Sequence, residues 1–445
     1  MANANGNAAA KPLRLLCFDG GTPSGAFSQL GILNSLLSQA STAGDGKSKA
    51  DQEFYPHTHF DMIAGTGLGG LLALMFGALQ MSISEAEDRL ETLCSGVFTS
   101  EHTVSSNGNV TRGIFQRARN LLWQNDGSII GGNRLVVEQE PLFNLSLLKK
   151  EVQLIVNEAK VKVHGMESID PTQPNTCLAF VCVRNTFNMA NCEHLRTYIP
   201  KDRHPTDYSI VEAACATITT PGLFDARVQM PNGPTLVGAG VGTNNPTREL
   251  LQEAERVYGT DRQVGCLISI GSGVLSPLSI KRVSSEGIGG VMVRVAADCE
   301  GVARTLRDNL REVGIYFRFS VDRGMGETTM LGWQQDDGSM THTDTYLGDT
   351  EQYLTLCAKR MKKLDVSFRL RMLNQATAIG ITPKSPPPNS PYFTPRDRLL
   401  RHMEDTLLRP TQPTLNRKRI LVISGNEGSG KTQIVSHFSR LHREE

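Results

Sequence analysis

Two glycine-rich turns carry the residues whose types and spacing could do chemistry. In the first, Gly65-Thr66-Gly67-Leu68-Gly69-Gly70 follows the apolar run FDMIA and opens onto LLALMFG. A strand–turn–helix of the form G-x-S-x-G holds a serine on a strained elbow, at a helix N-terminus facing an oxyanion hole, where it attacks acyl carbonyls. This chain keeps the frame and puts Gly67 where the serine would stand, and a glycine has no oxygen or sulfur to acylate. Gly65, Gly67 and Gly70 also satisfy G-x-G-x-x-G. That dinucleotide fingerprint needs a second strand ending in an acidic residue about 20 positions on. Glu85, Glu87 and Asp88 instead fall in a helix-like run with no strand before them. The second turn, Gly425 to Thr432 (GNEGSGKT), fits G-x-x-x-x-G-K-S/T after ILVIS and before a helical stretch. Its backbone N–H groups, at Gly425, Gly428 and Gly430 among others, would cradle the phosphates of ATP or GTP. Lys431 would reach the β and γ oxygens, and Thr432 would ligate Mg²⁺ if the NTPase domain is complete.

The elements that must position these turns follow from hydrophobic patterning. Leu13–Phe18 (LRLLCF) reads as a strand, Asp19 to Gly25 as a turn, and LGILNSLLSQA as a helix. After a polar loop at 41–57 comes a second strand–turn–helix, Phe60 to Gly77, and then an amphipathic helix from about Ser84 to Phe98, with Ser84 as its cap. Residues 100–134 read as loop around a short helix. Leu147 to Ala159 is helical, Thr176–Val183 a buried strand, Ile210–Thr217 a helix start, and Val264–Ile270 a strand ending in Gly271-Ser272-Gly273. Strands that are continuously apolar and alternate with helices point to an α/β fold, a parallel sheet layered between helices. Met62 to Leu79 carries no charge and reaches the lower length for a membrane span. Its β-prone start and glycine cluster favour a strand, a turn and a buried helix, so no transmembrane segment is expected.

Charge and composition divide the chain. Its 445 residues hold 46 Lys and Arg against 45 Asp and Glu, yet residues 359–445 carry 17 basic and 7 acidic side chains. Two differently charged modules are the simplest reading. Lys359–Arg371 (KRMKKLDVSFRLR) reads as a solvated helix face rather than a contact for nucleic acid or an anionic membrane. The nine cysteines are scattered without CxxC pairs, which favours reduced thiols in a cytoplasmic protein over disulfides or a zinc site. Residues 1–12 are a flexible leader without the pattern of a secretory signal. Residues 13–378 form the main domain, 379–418 a Pro-rich linker with a short helix near Arg396–Leu408, and 419–445 the strand–loop–helix start of an incomplete NTPase.

Several blocks together resemble the patatin-like phospholipase family. FDMIAGTGLGGLLALMFG is similar to its FD-x-I-x-GTSTGG-x-x-AL block, and LCFDGGTPSG (16–25) to its strand and DGGGxRG oxyanion loop. EAACATITTPGLF (212–224) is similar to its helix and Ala-Ala-Pro turn, GVGTNNP (240–246) to its DGG-x-x-x-NNP segment, and ISIGSG (268–273) and IYFRFSVDRG (315–324) to later blocks. The resemblance implies a three-layer α/β/α sandwich and a Ser–Asp dyad that hydrolyses lipid acyl esters. Here the serine position is Gly67 and the acid position Gly238, so no catalytic pair is intact. The implied oxyanion loop keeps Gly20 and Gly21 but has Thr22 and Pro23 next, and Ser24 in place of the arginine. Pro23 has no backbone N–H to give.

Neither Thr66, which points elsewhere on the turn, nor Ser24 or Ser28, which lack a visible base, replaces the nucleophile. Losing it costs an acyl hydrolase on the order of a millionfold in rate. The expectation is a non-catalytic fold whose pocket frame could still hold an acyl chain or anionic head group. Its glycines are read first as keeping backbone geometry. YFTPRDRLLRHMEDTLL (392–408) resembles the lead-in to NB-ARC or NACHT modules. A patatin-like domain, linker and NTPase in that order resembles the architecture of STAND immune-receptor-like proteins. The first domain would then be an effector or regulatory module and the complete NTPase a self-associating switch. The alternatives are an active lipid acyl hydrolase with a displaced nucleophile, and a lipid- or protein-binding scaffold.

Overall fold

The computed structural model describes residues 11–41, 53–99, 142–274, 295–378, 390, 393–407 and 421–442, except 162, 164, 174, 201–204, 221–222, 225, 311–312, 326–329, 332, 336, 422 and 427. The leader through residue 10, the expected loop at 100–134 and most of the 379–418 linker lie outside these. The chain divides into two compact units, Met1–Ala378 and Ile379–Glu445.

The first unit is built on a nine-stranded sheet. Strands β1 (Leu13–Phe18), β2 (Met62–Gly65), β3 (Leu178–Asn185), β7 (Gln263–Ile270) and β8 (Tyr316–Phe319) run parallel in the order β3-β2-β1-β7-β8. β1 is central, and its side chains alternate between two cores. Leu16 and Phe18 face one, while Leu13, Leu15 and Cys17 face the other. Burial on both faces is what makes such strands continuously apolar. β4 (Asn188–Arg196) pairs antiparallel with β3, β6 (Thr235–Gly238) takes up the end of β3 that β2 leaves, and β5 (Val228–Gln229) pairs β6.

Helices α1 (Pro23–Ala40), α2 (Gly67–Gly77), α3 (Ile83–Val97), α4 (Leu145–Glu158) and α5 (Ile210–Ile218) cover the first core. α6 (Thr247–Tyr258) and α7 (Cys299–Leu310) cover the second, giving three α/β/α layers. The β1–α1–β2 crossover lies on one face and β7–α7–β8 on the other. The carboxyl ends of β1 and β7 therefore form a topological switch point, where open α/β sheets place their crevices.

Local chemistry sets the helix starts. Thr22 caps α1, accepting the Gly25 N–H, and Pro23 fills its first position. α3 is capped by Ser82 rather than Ser84, because Glu85 lies three residues after Ser82 and closes a reciprocal capping box. Lys359–Arg371 is not one helix. α8 (Asp337–Asp349) is followed by α9 (Glu351–Lys363), which ends at Leu364 in a left-handed conformation, φ 47°. β9 (Phe368–Arg369) then pairs with β7, and α10 (Leu370–Ala378) packs on the second core.

The second unit holds α11 (Asp397–Leu407) and α12 (Lys431–Leu441), joined by a cluster of Leu400, Met403, Ile434 and Phe438. The expected strand at 420–424 is not formed at the described residues 421, 423 and 424. A strand needs a ladder partner, and among the described residues of this unit none pairs with it.

Candidate functional site

The Gly65–Gly70 turn stands at the carboxyl end of β2. Gly67 has φ +60°, the conformation in which a strand-to-helix elbow presents its tip, and it is half-buried while its neighbours from Met62 to Thr66 and from Leu68 to Phe76 are buried. Glycine spans the tight crossing behind it: a Cβ on Gly69 would lie 2.3 Å from the Asp19 carbonyl. At Gly67 there is room. A Cβ there would meet only Gly20 Cα at 3.5 Å and Gly21 N at 4.0 Å. The elbow therefore faces the Gly20-Gly21 loop, with no functional group at its tip. Thr66 is turned away and buried, its hydroxyl donating to the Thr243 carbonyl at 3.0 Å. The dinucleotide alternative lacks its second strand, since Glu85, Glu87 and Asp88 all lie within α3.

Gly238 meets the elbow through Thr217, a residue that motif reading did not single out. The Thr217 hydroxyl accepts the Gly67 N–H at 3.0 Å and donates to the Cys182 carbonyl at 2.9 Å. Its own carbonyl lies 2.3 Å from where a Cβ on Gly238 would be. The space an acidic side chain would need is thus filled by backbone from the end of α5. Asn244 plays a similar part opposite. Its carbonyl accepts the Gly20 N–H at 3.0 Å, and its Oδ1 lies 2.4 Å from a Cβ built on Gly20.

Of the remaining loop residues, Thr22 is spent on capping α1. Ser28 is buried and accepts from the Thr343 hydroxyl. Ser24 is buried, its hydroxyl finds no partner among the described residues, and it lines a cavity of about 380 Å³ with Phe27, Glu91, Trp333 and Met340. Beneath the loop, Asp19 forms a buried ion pair with Arg318 at 2.6 Å, and Arg318 also reaches Glu300 and Ser269. Burial pushes the Asp19 carboxyl up against the pull of Arg318. Burial likewise opposes the Arg318 charge, but Asp19 and Glu300 outweigh it. Asp19 thus anchors the loop from below.

In the second unit, Gly425, Gly428 and Gly430 have φ of 157°, 76° and 84°, and Gly430 caps α12 from a left-handed conformation. Lys431 Nζ donates to the carbonyls of Gly425 and Asn426 at 2.8 and 2.6 Å. Thr432 lies in the first turn of α12. A cavity of about 530 Å³ opens beside this loop, lined by Arg396, Gly428, Gly430 and Lys431. The loop, the lysine and the helix N-terminus are thereby brought together.

Among known proteins, the family described as patatin-like phospholipase matches residues 16–251. VipD from Legionella pneumophila is similar in structure, with 13% identity and a TM-score of 0.33, over 76% of this chain and 68% of that one. No curated protein matches the chain. Among the described residues no helix is long and apolar enough to cross a membrane.

Proposed function

The chain belongs to the patatin-like phospholipase family, and from that premise we propose that it uses the fold without acyl turnover. The observation that carries this reading is at Gly238. The site lacks its acid, and the Thr217 carbonyl occupies the place from which an acid would project. Gly67 supplies no nucleophile, and of the nearby hydroxyls Thr66 and Ser28 are engaged elsewhere. Turnover of a short-chain acyl ester, with and without a serine-reactive fluorophosphonate, tests the reading. Robust hydrolysis abolished by the reagent would overturn it and point to a displaced nucleophile.

We assign the domain the role of effector or regulatory module in a cytoplasmic, nucleotide-switched, immune-receptor-like protein. Residues 425–432 then bind ATP or GTP with Mg²⁺, and self-association runs through an NTPase module. The cradle of positive-φ glycines around Lys431 supports this part. Nucleotide binding that is unchanged by Lys431→Ala would remove it. A second reading, a non-hydrolytic acyl-ligand site, is favoured by the Ser24 hydroxyl, which finds no partner among the described residues and lies in its cavity. It requires that a fluorescent fatty acid bind and that Ser24→Phe block it.

A further inference from the structure

The sheet edge at β4 carries a cluster that neither reading uses. β4 lies beside β3 in a register that sets Cys182 opposite His194 and Arg184 opposite Cys192. Since alternate residues of a strand share a face, Cys182, Cys192 and His194 project to the same side, the one packed on α6. Their two sulfurs and a ring nitrogen lie within 4.8 Å of one another. From α6, Glu249 and Glu253, one turn apart, reach the imidazole: Oε2 of Glu249 lies 2.8 Å from Nε2, and Oε2 of Glu253 lies 3.1 Å from Nδ1. Glu253 is itself fixed by Arg196 and by the Tyr198 hydroxyl at 2.8 Å.

We propose that Cys182, Cys192 and His194 ligate a zinc-class divalent cation, with the Glu249 carboxylate as the fourth ligand. Two thiolates, one imidazole and a carboxylate are a donor set that suits zinc rather than calcium or magnesium. Tetrahedral bonds of about 2.0–2.3 Å place ligand atoms roughly 3.3–3.8 Å apart. The two sulfurs and the ring nitrogen, within 4.8 Å of one another, therefore draw in by up to about an ångström, and Glu249 Oε2, 2.8 Å from Nε2, turns from that hydrogen bond to the cation. Nδ1 keeps its hydrogen bond to Glu253, the carboxylate–histidine arrangement that orients a ligating ring, and Nε2 is left for the cation. Uptake displaces the protons of both thiols and of Nε2 into solvent. The charges then balance closely. The cation and Arg196 carry three positive charges against four negative ones on two thiolates and two carboxylates. Cys182 is buried, but Cys192 and Glu249 are partly exposed, which gives the cation a way in from the sheet edge.

The test is a Co²⁺ titration of the chelator-stripped, reduced full chain, followed by displacement with Zn²⁺. Saturation near one cobalt per chain is expected, with thiolate-to-cobalt charge-transfer absorbance and the intense visible bands of tetrahedral coordination. Cys192→Ala should lose most of the charge-transfer band. Glu249→Gln should keep both sulfur contributions and weaken binding by more than the about 10- to 100-fold that outer-shell changes cost. Zn²⁺ should also protect Cys182 and Cys192 from alkylation, read by peptide mass spectrometry on the unaltered chain, which decides the matter if a variant fails to fold. The proposal is overturned if the chain takes up no cobalt, if Cys192→Ala leaves the bands unchanged, or if Zn²⁺ gives no protection. A Cys182–Cys192 disulfide that, once reduced, still admits no metal would overturn it too.

Discussion

Putting serine at position 67 and aspartate at position 238 should have unequal outcomes, because the two places offer unequal room. At Gly67 the nearest atom to a new Cβ is 3.5 Å away, so Gly67→Ser meets only the φ of +60°. For an L-residue that conformation costs about 1–2 kcal/mol. At Gly238 the new Cβ would sit 2.3 Å from the Thr217 carbonyl oxygen, where ordinary contact begins at 3.4 Å. The end of α5 would have to move by about an ångström, and overpacking of that kind costs about 1–3 kcal/mol. Burying a carboxylate there adds its desolvation cost, so Gly238→Asp should lose on the order of 4 kcal/mol. That is a large part of the roughly 5–15 kcal/mol a domain possesses. Urea unfolding separates the terms, with Gly238→Ala reporting the steric part alone. Turnover of an acyl ester and labelling by fluorophosphonate then read function. Gly67→Ser should fold and stay silent, and the double variant should be less stable and equally silent. A working dyad is worth on the order of a millionfold, so a real restoration would be plain. Gly238→Asp within about 0.5 kcal/mol of the parent, or a double variant that turns over ester, would refute the reasoning.

Four further outcomes follow from the geometry. Thr217→Val removes the hydroxyl shared by the Gly67 N–H and the Cys182 carbonyl, and should cost about 1–3 kcal/mol in urea unfolding. Glu85 is held below the usual carboxylate range; burial opposes this, but Lys160 and Ser82 outweigh it. Its contribution is therefore present above the unfolded carboxyl value and lost as pH falls through the folded one. Glu85→Gln should lower stability by up to about 1 kcal/mol at neutral pH, with the two curves converging in acid. In the second unit, Lys431→Ala should weaken Mg-nucleotide binding by about 1.5–3 kcal/mol, and Thr432→Ala should remove its Mg²⁺ dependence, both measured by isothermal titration calorimetry.

What could be read from the sequence depended on whether the determinant was contiguous. β1, β2, β3 and β7 were legible because burial on both faces writes a mostly apolar run. β4 was not, since NMANCEHLR is an edge strand that is exposed through its first half. The cap of α3 was misplaced by two residues because Ser82 and Ser84 are equally good candidates, and only the reach of Glu85 decides between them. The absence of a nucleophile at Gly67 lies inside one six-residue motif. The role of Thr217 does not, because a register between the end of α5 and β6 sets it. The Cys182–Cys192–His194 cluster was invisible for the same reason. Its spacing matches no zinc signature, and the strand pairing and α6 bring the ligands together.

On the proposed reading, the geometry at Thr217 also limits how an acid could be placed at position 238. Removing a serine and an aspartate from an otherwise unchanged site would leave a void, and voids cost stability in proportion to their volume. At Gly238 there is none, since backbone has closed onto the glycine and its N–H donates to the Thr219 carbonyl at 2.7 Å. The blocking atom is a main-chain carbonyl, so no side-chain change at 217 takes it away. Adding Thr217→Ala to Gly238→Asp should therefore fail to recover stability, and should lower it further by releasing the hydroxyl that ties α5 to the elbow and to β3. If the added substitution instead restored the unfolding midpoint, the obstacle at 238 would be the threonine side chain. The site would then be one reversible step from accepting its acid, and the silent reading would rest on Gly67 alone.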